Sequence, residues 1–140
     1  MIVLDTNVLS ELMRPTASPQ VRAWLNAQAP STLYVTAITV AELRYGLDVL
    51  PAGRRRTDLL ARADASLALF EDRLLSFTPA AGVLYGRLMA RARAAGLTVA
   101  MPDGLIAAIA AEQDFAVATR DMSPFVAAGL RVIDPWSATG

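Results

Sequence analysis

Apolar residues fall into two kinds of run along this chain. Short continuous runs at Ile2 to Leu4, Leu33 to Thr36, Leu74 to Phe77, Phe115 to Ala118 and Leu130 to Ile133 have the length and composition of buried strands. Between them apolar positions recur at helical spacing. Val8, Leu9 and Leu12 form one stripe that stops at Pro15, and Ser18 with Pro19 has the look of an N-cap and first turn for Val21, Trp24 and Leu25. Further helices are predicted from about Ile38 to Leu47 and from about Arg54 to Glu71, the latter with Leu59, Leu60, Ala63, Leu67 and Phe70 on its apolar side. Another runs from Pro79 through Leu88 and Ala92 to a stop at Gly96, and an alanine-rich one from Pro102 to about Glu112. Strands that alternate with helices imply right-handed crossovers and a mainly parallel five-stranded sheet between helical layers, an α/β/α sandwich. The length, 140 residues, suits one domain spanning 1–140.

Composition narrows the chemistry by what is missing. With 54% hydrophobic and 19% charged residues the chain reads as a compact globule. The apolar run Leu105 to Ala111 is too short to cross a bilayer, and the first run is broken by Asp5, unlike a signal peptide, so a cytoplasmic location is expected. There is no cysteine, no histidine and no lysine; all 13 basic residues are arginine. Thiolate and imidazole metal sites, cysteine nucleophiles, Schiff bases and the P-loop lysine are therefore excluded. What remains is carboxylates, hydroxyls, amides and arginine. A net charge of zero means that any nucleic-acid contact must come from a local arginine patch.

Four acids fall just after predicted strands or in the helices that follow: Asp5, Glu42, Asp103 and Asp121. Each has a bland alternative. Asp5 and Asp121 are placed to cap helices, Asp103 lies in a first helical turn where the dipole favours a carboxylate, and Glu42 stands at capping-box spacing from Thr39. Thr36 is the more natural cap of that helix, which would put Glu42 in the second turn, leaning back over the sheet edge. The βα junctions of a parallel sheet share one edge, so the four can converge although they are distant in sequence. Carboxylates so gathered need either raised pKa values or a cation, and oxygen donors favour Mg²⁺ or Mn²⁺. Thr6, Asn7 and Thr119 are short polar neighbours able to orient ligands or to satisfy local backbone.

The segments DTNVLSEL at 5–12, TAITVAELRYG at 36–46, PDGLIAAIAA at 102–111, VATRDMSPF at 117–125 and VIDPW at 132–136 resemble, in order, the successive motifs of the PIN-domain family, most closely its FitB-like branch of VapC toxins. The resemblance spans nearly the whole chain. It implies a PIN fold and a metal-dependent endoribonuclease, the toxin of a type II toxin–antitoxin pair, acting on tRNA or other structured RNA. Asp5, Glu42 and Asp103 match the three core acidic positions, Asp121 a fourth, and Thr119 a Thr or Ser position beside the metal. The Met-Ser-Pro-Phe after Asp121 departs from the polar turn more usual there, which bears on the shape of that loop. The implied partners are RNA, a cognate antitoxin lying across the cleft and a second copy in a homodimer.

Candidate phosphate contacts are Arg14, Arg44, Arg87, Arg91, Arg93 and Arg120, with Arg87 and Arg91 at i, i+4 spacing on one helix face. Trp24, Leu12, Met13 and Tyr45 are candidates for a docking groove, although Leu12 and Trp24 suit the core better. A phosphoaspartyl phosphatase would also place Asp at the end of the first strand. It would need an acid where Asn7 stands and a lysine, which a receiver domain needs too. A PIN-like nuclease acting on DNA and a non-catalytic metal-binding interaction module are the remaining alternatives.

Overall fold

The computed structural model describes residues 1–137. Five strands form one sheet: β1 (Ile2–Leu4), β2 (Leu33–Thr36), β3 (Leu74–Leu75), β4 (Ala116–Ala118) and β5 (Val132–Ile133). Their order is β3-β2-β1-β4-β5, and every pairing is parallel, so the expected mainly parallel sheet is wholly so. The helices between them are α1 (Thr6–Leu12), α2 (Pro19–Asn26), α3 (Ala37–Asp48), α4 (Arg54–Ala68), α5 (Pro79–Ala94), α6 (Met101–Gln113) and α7 (Ser123–Ala127). A 3-10 turn at Pro30–Thr32 leads into β2.

Strand alternation builds the two cores. Leu4, Leu33, Val35 and Ala118 face a cluster with Val8, Leu9, Val21, Leu43, Leu47, Ala63 and Phe70 from α1 to α4 and the turn that follows. Val3, Tyr34 and Val117 face the opposite cluster, which holds Ala81, Leu88, Ile106 to Ala110 and Phe125. The result is the expected three-layer α/β/α sandwich. The edge strands β3 and β5 have two residues each, shorter than the runs from Leu74 to Phe77 and Leu130 to Ile133 suggested. Each pairs with one neighbour only, and Ser76 and Phe77 are exposed, so nothing extends the ladder.

Local signals set the helix ends. Ser18 caps α2 by accepting from the Val21 N–H, with Pro19 in the first turn, and Gly96 at φ +74 closes α5. The α5–α6 contact is unusually close at Gly104, where an added Cβ would stand 2.7 Å from Met89 Sδ and 2.9 Å from Tyr85 Cε2. Glycine there lets α6 lie down on α5, and it is the residue after Asp103. The packing of the second core thus sets where that carboxylate sits.

Candidate active site

The strand order reverses direction at β1, between β2 on one side and β4 on the other, which is the switch point where a parallel sheet opens a crevice. Asp5 leaves β1 there and Thr119 leaves β4 beside it; the Asp5 N–H donates to the Ala118 carbonyl at 3.0 Å and continues the pairing. The crevice, of about 430 Å³, is lined by Asp5, Thr6, Asn7, Ser10, Glu11, Arg14, Glu42, Asp103, Arg120, Asp121 and Trp136. All four sequence-predicted acids line it, and they come from β1, α3, α6 and the loop after β4.

Each acid is held differently. Asp5 is the N-cap of α1, so its bland reading holds as well: Oδ1 accepts from the Thr6 N–H at 2.8 Å. Its other oxygen, Oδ2, accepts from the Thr119 hydroxyl at 2.8 Å. That hydroxyl is fully buried and itself accepts from Asn7 Nδ2 and from the Asp121 N–H, each at 3.1 Å. With two donors pointing at the oxygen, its single proton goes to Asp5 at 2.8 Å in preference to the Asp121 carbonyl at 3.4 Å. Asn7 Oδ1 in turn accepts from the Arg120 N–H at 3.2 Å, tying the loop after β4 to α1.

Glu42 lies in the second turn of α3, because Thr36 is the cap and accepts from the Thr39 N–H; the capping-box alternative is thereby removed. Its Oε1 accepts from the Thr6 hydroxyl at 2.8 Å, which brings α1 and α3 together over the crevice. Asp103 occupies the first turn of α6, and Asp121 precedes α7 without capping it, since Met122 is the N-cap. Among the described residues neither the Asp103 nor the Asp121 carboxylate accepts a hydrogen bond, so their oxygens are free to bind a ligand.

The electrostatics follow from this crowding. Burial, reinforced by the charges of Asp5, Asp121 and Glu42, pushes Asp103 from 3.8 up to about 6. Burial also raises Asp5; its hydrogen bonds from Thr119 and Thr6 oppose the shift, while the charges of Glu42 and Asp121 add to it. Both carboxylates would be relieved by a cation. Among the described residues, no three acidic side chains form a ready-made metal cluster.

Sequence reasoning missed three residues of the lining, Ser10, Glu11 and Trp136. Glu11 is buried in the crevice wall, where Oε1 accepts from the Ser18 N–H at 2.8 Å and Oε2 faces Arg14 Nη1 at 3.4 Å. Its i, i+3 spacing to Arg14 was the available signal. Trp136 enters the crevice from the turn after β5, and only the Asp-Pro-Trp string hinted at it.

The arginines separate. Arg14 and Arg120 line the crevice, and the Arg120 guanidinium lies 5.1 Å from the centroid of the Trp136 ring. Arg44 is taken up by Asp48 and Asp64, at 3.1 and 3.4 Å. Arg87, Arg91 and Arg93 are exposed on α5 and do not line the crevice. Of the groove candidates, Leu12 and Trp24 pack against the first core and Tyr45 is exposed. Met13 does line a groove, of about 730 Å³, with Pro15, Leu43, Leu47 and Leu59, and Arg54, Arg55 and Arg62 stand around it. Ser10 and Arg14 border both this groove and the acidic crevice, so the two are continuous.

Comparison with known proteins adds lineage to this geometry. The chain is 50% identical over 137 residues to VapC ribonuclease Y4jK of Sinorhizobium fredii, covering 97% of this chain and 98% of the relative. It is 42% identical to Toxin FitB of Neisseria gonorrhoeae, with 97% and 99% covered. The crystal structure of FitAcB from Neisseria gonorrhoeae superposes with a TM-score of 0.93 at 40% identity, over 99% of this chain and 100% of that one. The PIN domain model matches residues 2–128. The chain therefore belongs to the PIN domain family.

Proposed function

We propose that this protein is a metal-dependent endoribonuclease, the toxin of a type II toxin–antitoxin pair, acting in the cytoplasm. The observation that carries the reading is the convergence of Asp5, Glu42, Asp103 and Asp121 on one crevice at the sheet's switch point, two of them with raised pKa values. The ribonuclease and toxin names of relatives at 50% and 42% identity support the substrate class and the biological role.

The donor set fits a hard divalent cation, Mg²⁺ or Mn²⁺. Mg²⁺ keeps several waters and takes one or two carboxylates together with substrate phosphate oxygens, so a preformed three-carboxylate cluster is not required. When bound, such an ion supplies charge neutralisation and Lewis acidity for attack of water on a phosphodiester. The free Asp103 and Asp121 carboxylates are the side chains best placed to take it, with Asp5 and Glu42 held beside them by Thr119 and Thr6. Thr119 and the Thr6 N–H each hold one Asp5 oxygen and so fix the orientation of the carboxylate. Arg14 and Arg120, at the rim of the acidic floor, meet phosphates on either side of the cleaved bond. With neither histidine, cysteine nor lysine in the chain, attack by water needs no protein nucleophile.

The cognate antitoxin fits the apolar groove beside Met13 and Leu47. A segment seated there reaches the acids past Ser10 and Arg14, where a basic side chain would find opposite charge.

Incubation of purified protein with total tRNA in Mg²⁺, Mn²⁺ or chelator tests the reading, with Asp5→Asn and Asp103→Asn alongside. Cleavage by wild type in Mg²⁺ or Mn²⁺ but not in chelator, lost in both variants, is the expected result. Equal cleavage by all three, or cleavage in chelator, refutes it, and a matched DNA substrate tests the choice of RNA.

A further inference from the structure

The catalytic reading leaves the Asp134-Pro135-Trp136 turn unexplained. Asp134 Oδ1 accepts from the Trp136 N–H at 2.9 Å, and the Asp134 carbonyl accepts from the Ser137 N–H at 3.2 Å. This turn, with Pro135 buried, sets the indole partly against the first core and partly in the acidic crevice. Among the described residues it is the only aromatic side chain lining that crevice.

Arg120 makes the placement more informative. It is an exposed cation next to four carboxylates, yet among the described residues it forms no salt bridge with any of them. Its guanidinium instead lies over the Trp136 ring, and its backbone is pinned to Asn7. The indole thus holds the cation at the rim, where it neither fills the acidic floor nor loses its N–H donors. A planar cation on an aromatic face, beside carboxylates placed for phosphodiester chemistry, is the kind of surface on which an unstacked nucleobase is held.

We propose that Trp136 and Arg120 form a nucleoside subsite: one base of the RNA stacks on the guanidinium–indole pair, and Arg120 donates to the adjoining phosphate. This rests on the ribonuclease reading. Trp136 acts through stacking and through its hold on Arg120, so it governs substrate binding ahead of turnover.

The test uses a short single-stranded oligoribonucleotide containing a cleavage site, together with versions carrying one abasic residue at each flanking position. Trp136→Ala is expected to raise KM about tenfold, as the loss of one stacked base does, with kcat changed less than about twofold, and Trp136→Phe is expected to recover most of the loss. One abasic position should raise KM comparably in wild type and add nothing further in Trp136→Ala. A second readout needs no catalysis: in Trp24→Phe, where Trp136 is the sole tryptophan, the intact oligonucleotide quenches fluorescence more than the abasic one. Unchanged KM in folded Trp136→Ala, no abasic penalty in wild type, or equal quenching by both oligonucleotides overturns the subsite. Should wild type cleave no RNA, the nuclease reading fails, and the quenching comparison still decides whether a base binds here.

Discussion

Replacing Asp103 by asparagine separates what the acidic crevice does for chemistry from what it costs the fold. The carboxyl is pushed from 3.8 to about 6 by burial and by the charges of Asp5, Asp121 and Glu42. Below pH 3.8 it is protonated in folded and unfolded chains alike and contributes nothing. As pH rises from 3.8 to about 6, the unfolded chain has already lost the proton that the folded chain keeps, so unfolding becomes easier. Above about 6 the penalty is complete. Two pH units correspond to about 3 kcal/mol, and solvent screening at this partly exposed group reduces that to about 1–2 kcal/mol. Asparagine keeps the shape and removes the charge. Asp103→Asn should therefore melt about 3–8 °C above wild type at pH 7.5 in chelator, with the gap closing near pH 4. Thermal unfolding followed by circular dichroism across that range measures it, and added Mg²⁺ should raise the wild type more than the variant. A variant no more stable than wild type at pH 7.5, or a gap independent of pH, would refute the argument that crowded carboxylates destabilise the site.

Thr119→Val removes the proton given to Asp5 and strands Asn7 Nδ2 and the Asp121 N–H, so it should lose about 1–3 kcal/mol in urea unfolding as well as most RNA cleavage, whereas Thr119→Ser retains both. Gly104→Ala drives a methyl into Met89 and Tyr85; a stability loss of about 1–3 kcal/mol, read from the urea midpoint, is expected. Arg14→Ala and Arg120→Ala should each weaken RNA cleavage at fixed salt and flatten its salt dependence, while Arg87→Ala and Arg91→Ala, on residues outside the crevice, should leave cleavage rates within about twofold.

Much of this architecture was legible because period and punctuation agree. Ser18-Pro19 marks the start of α2, Gly96 the end of α5, and the run Leu33 to Thr36 is β2 to the residue. The acids were legible only as a set, since each carries a local role that would explain it alone. Asp5 does cap α1; its other oxygen is held by a hydroxyl 114 residues away, which no local pattern encodes. Glu11 escaped notice for a related reason. A glutamate followed at i+3 by arginine reads as a solvated pair, and only tertiary packing buries it in the crevice wall. The fates of the arginines were likewise beyond periodicity: ion pairs occupy Arg44 away from the crevice, while an indole supports Arg120 at its rim.

The first strand sits in the middle of the sheet, and its neighbour β4 comes from the far end of the chain. Asp5 is synthesised well before its partners: the hydroxyl that orients it follows 114 residues later, and the loop bearing Asp121 later still. A ribosome-bound fragment ending before Ala116 holds three of the four acids without the strand that completes their edge of the sheet. The crevice therefore closes late in chain order, when β4 docks beside β1 and the loop bearing Asp121 folds over Asp5.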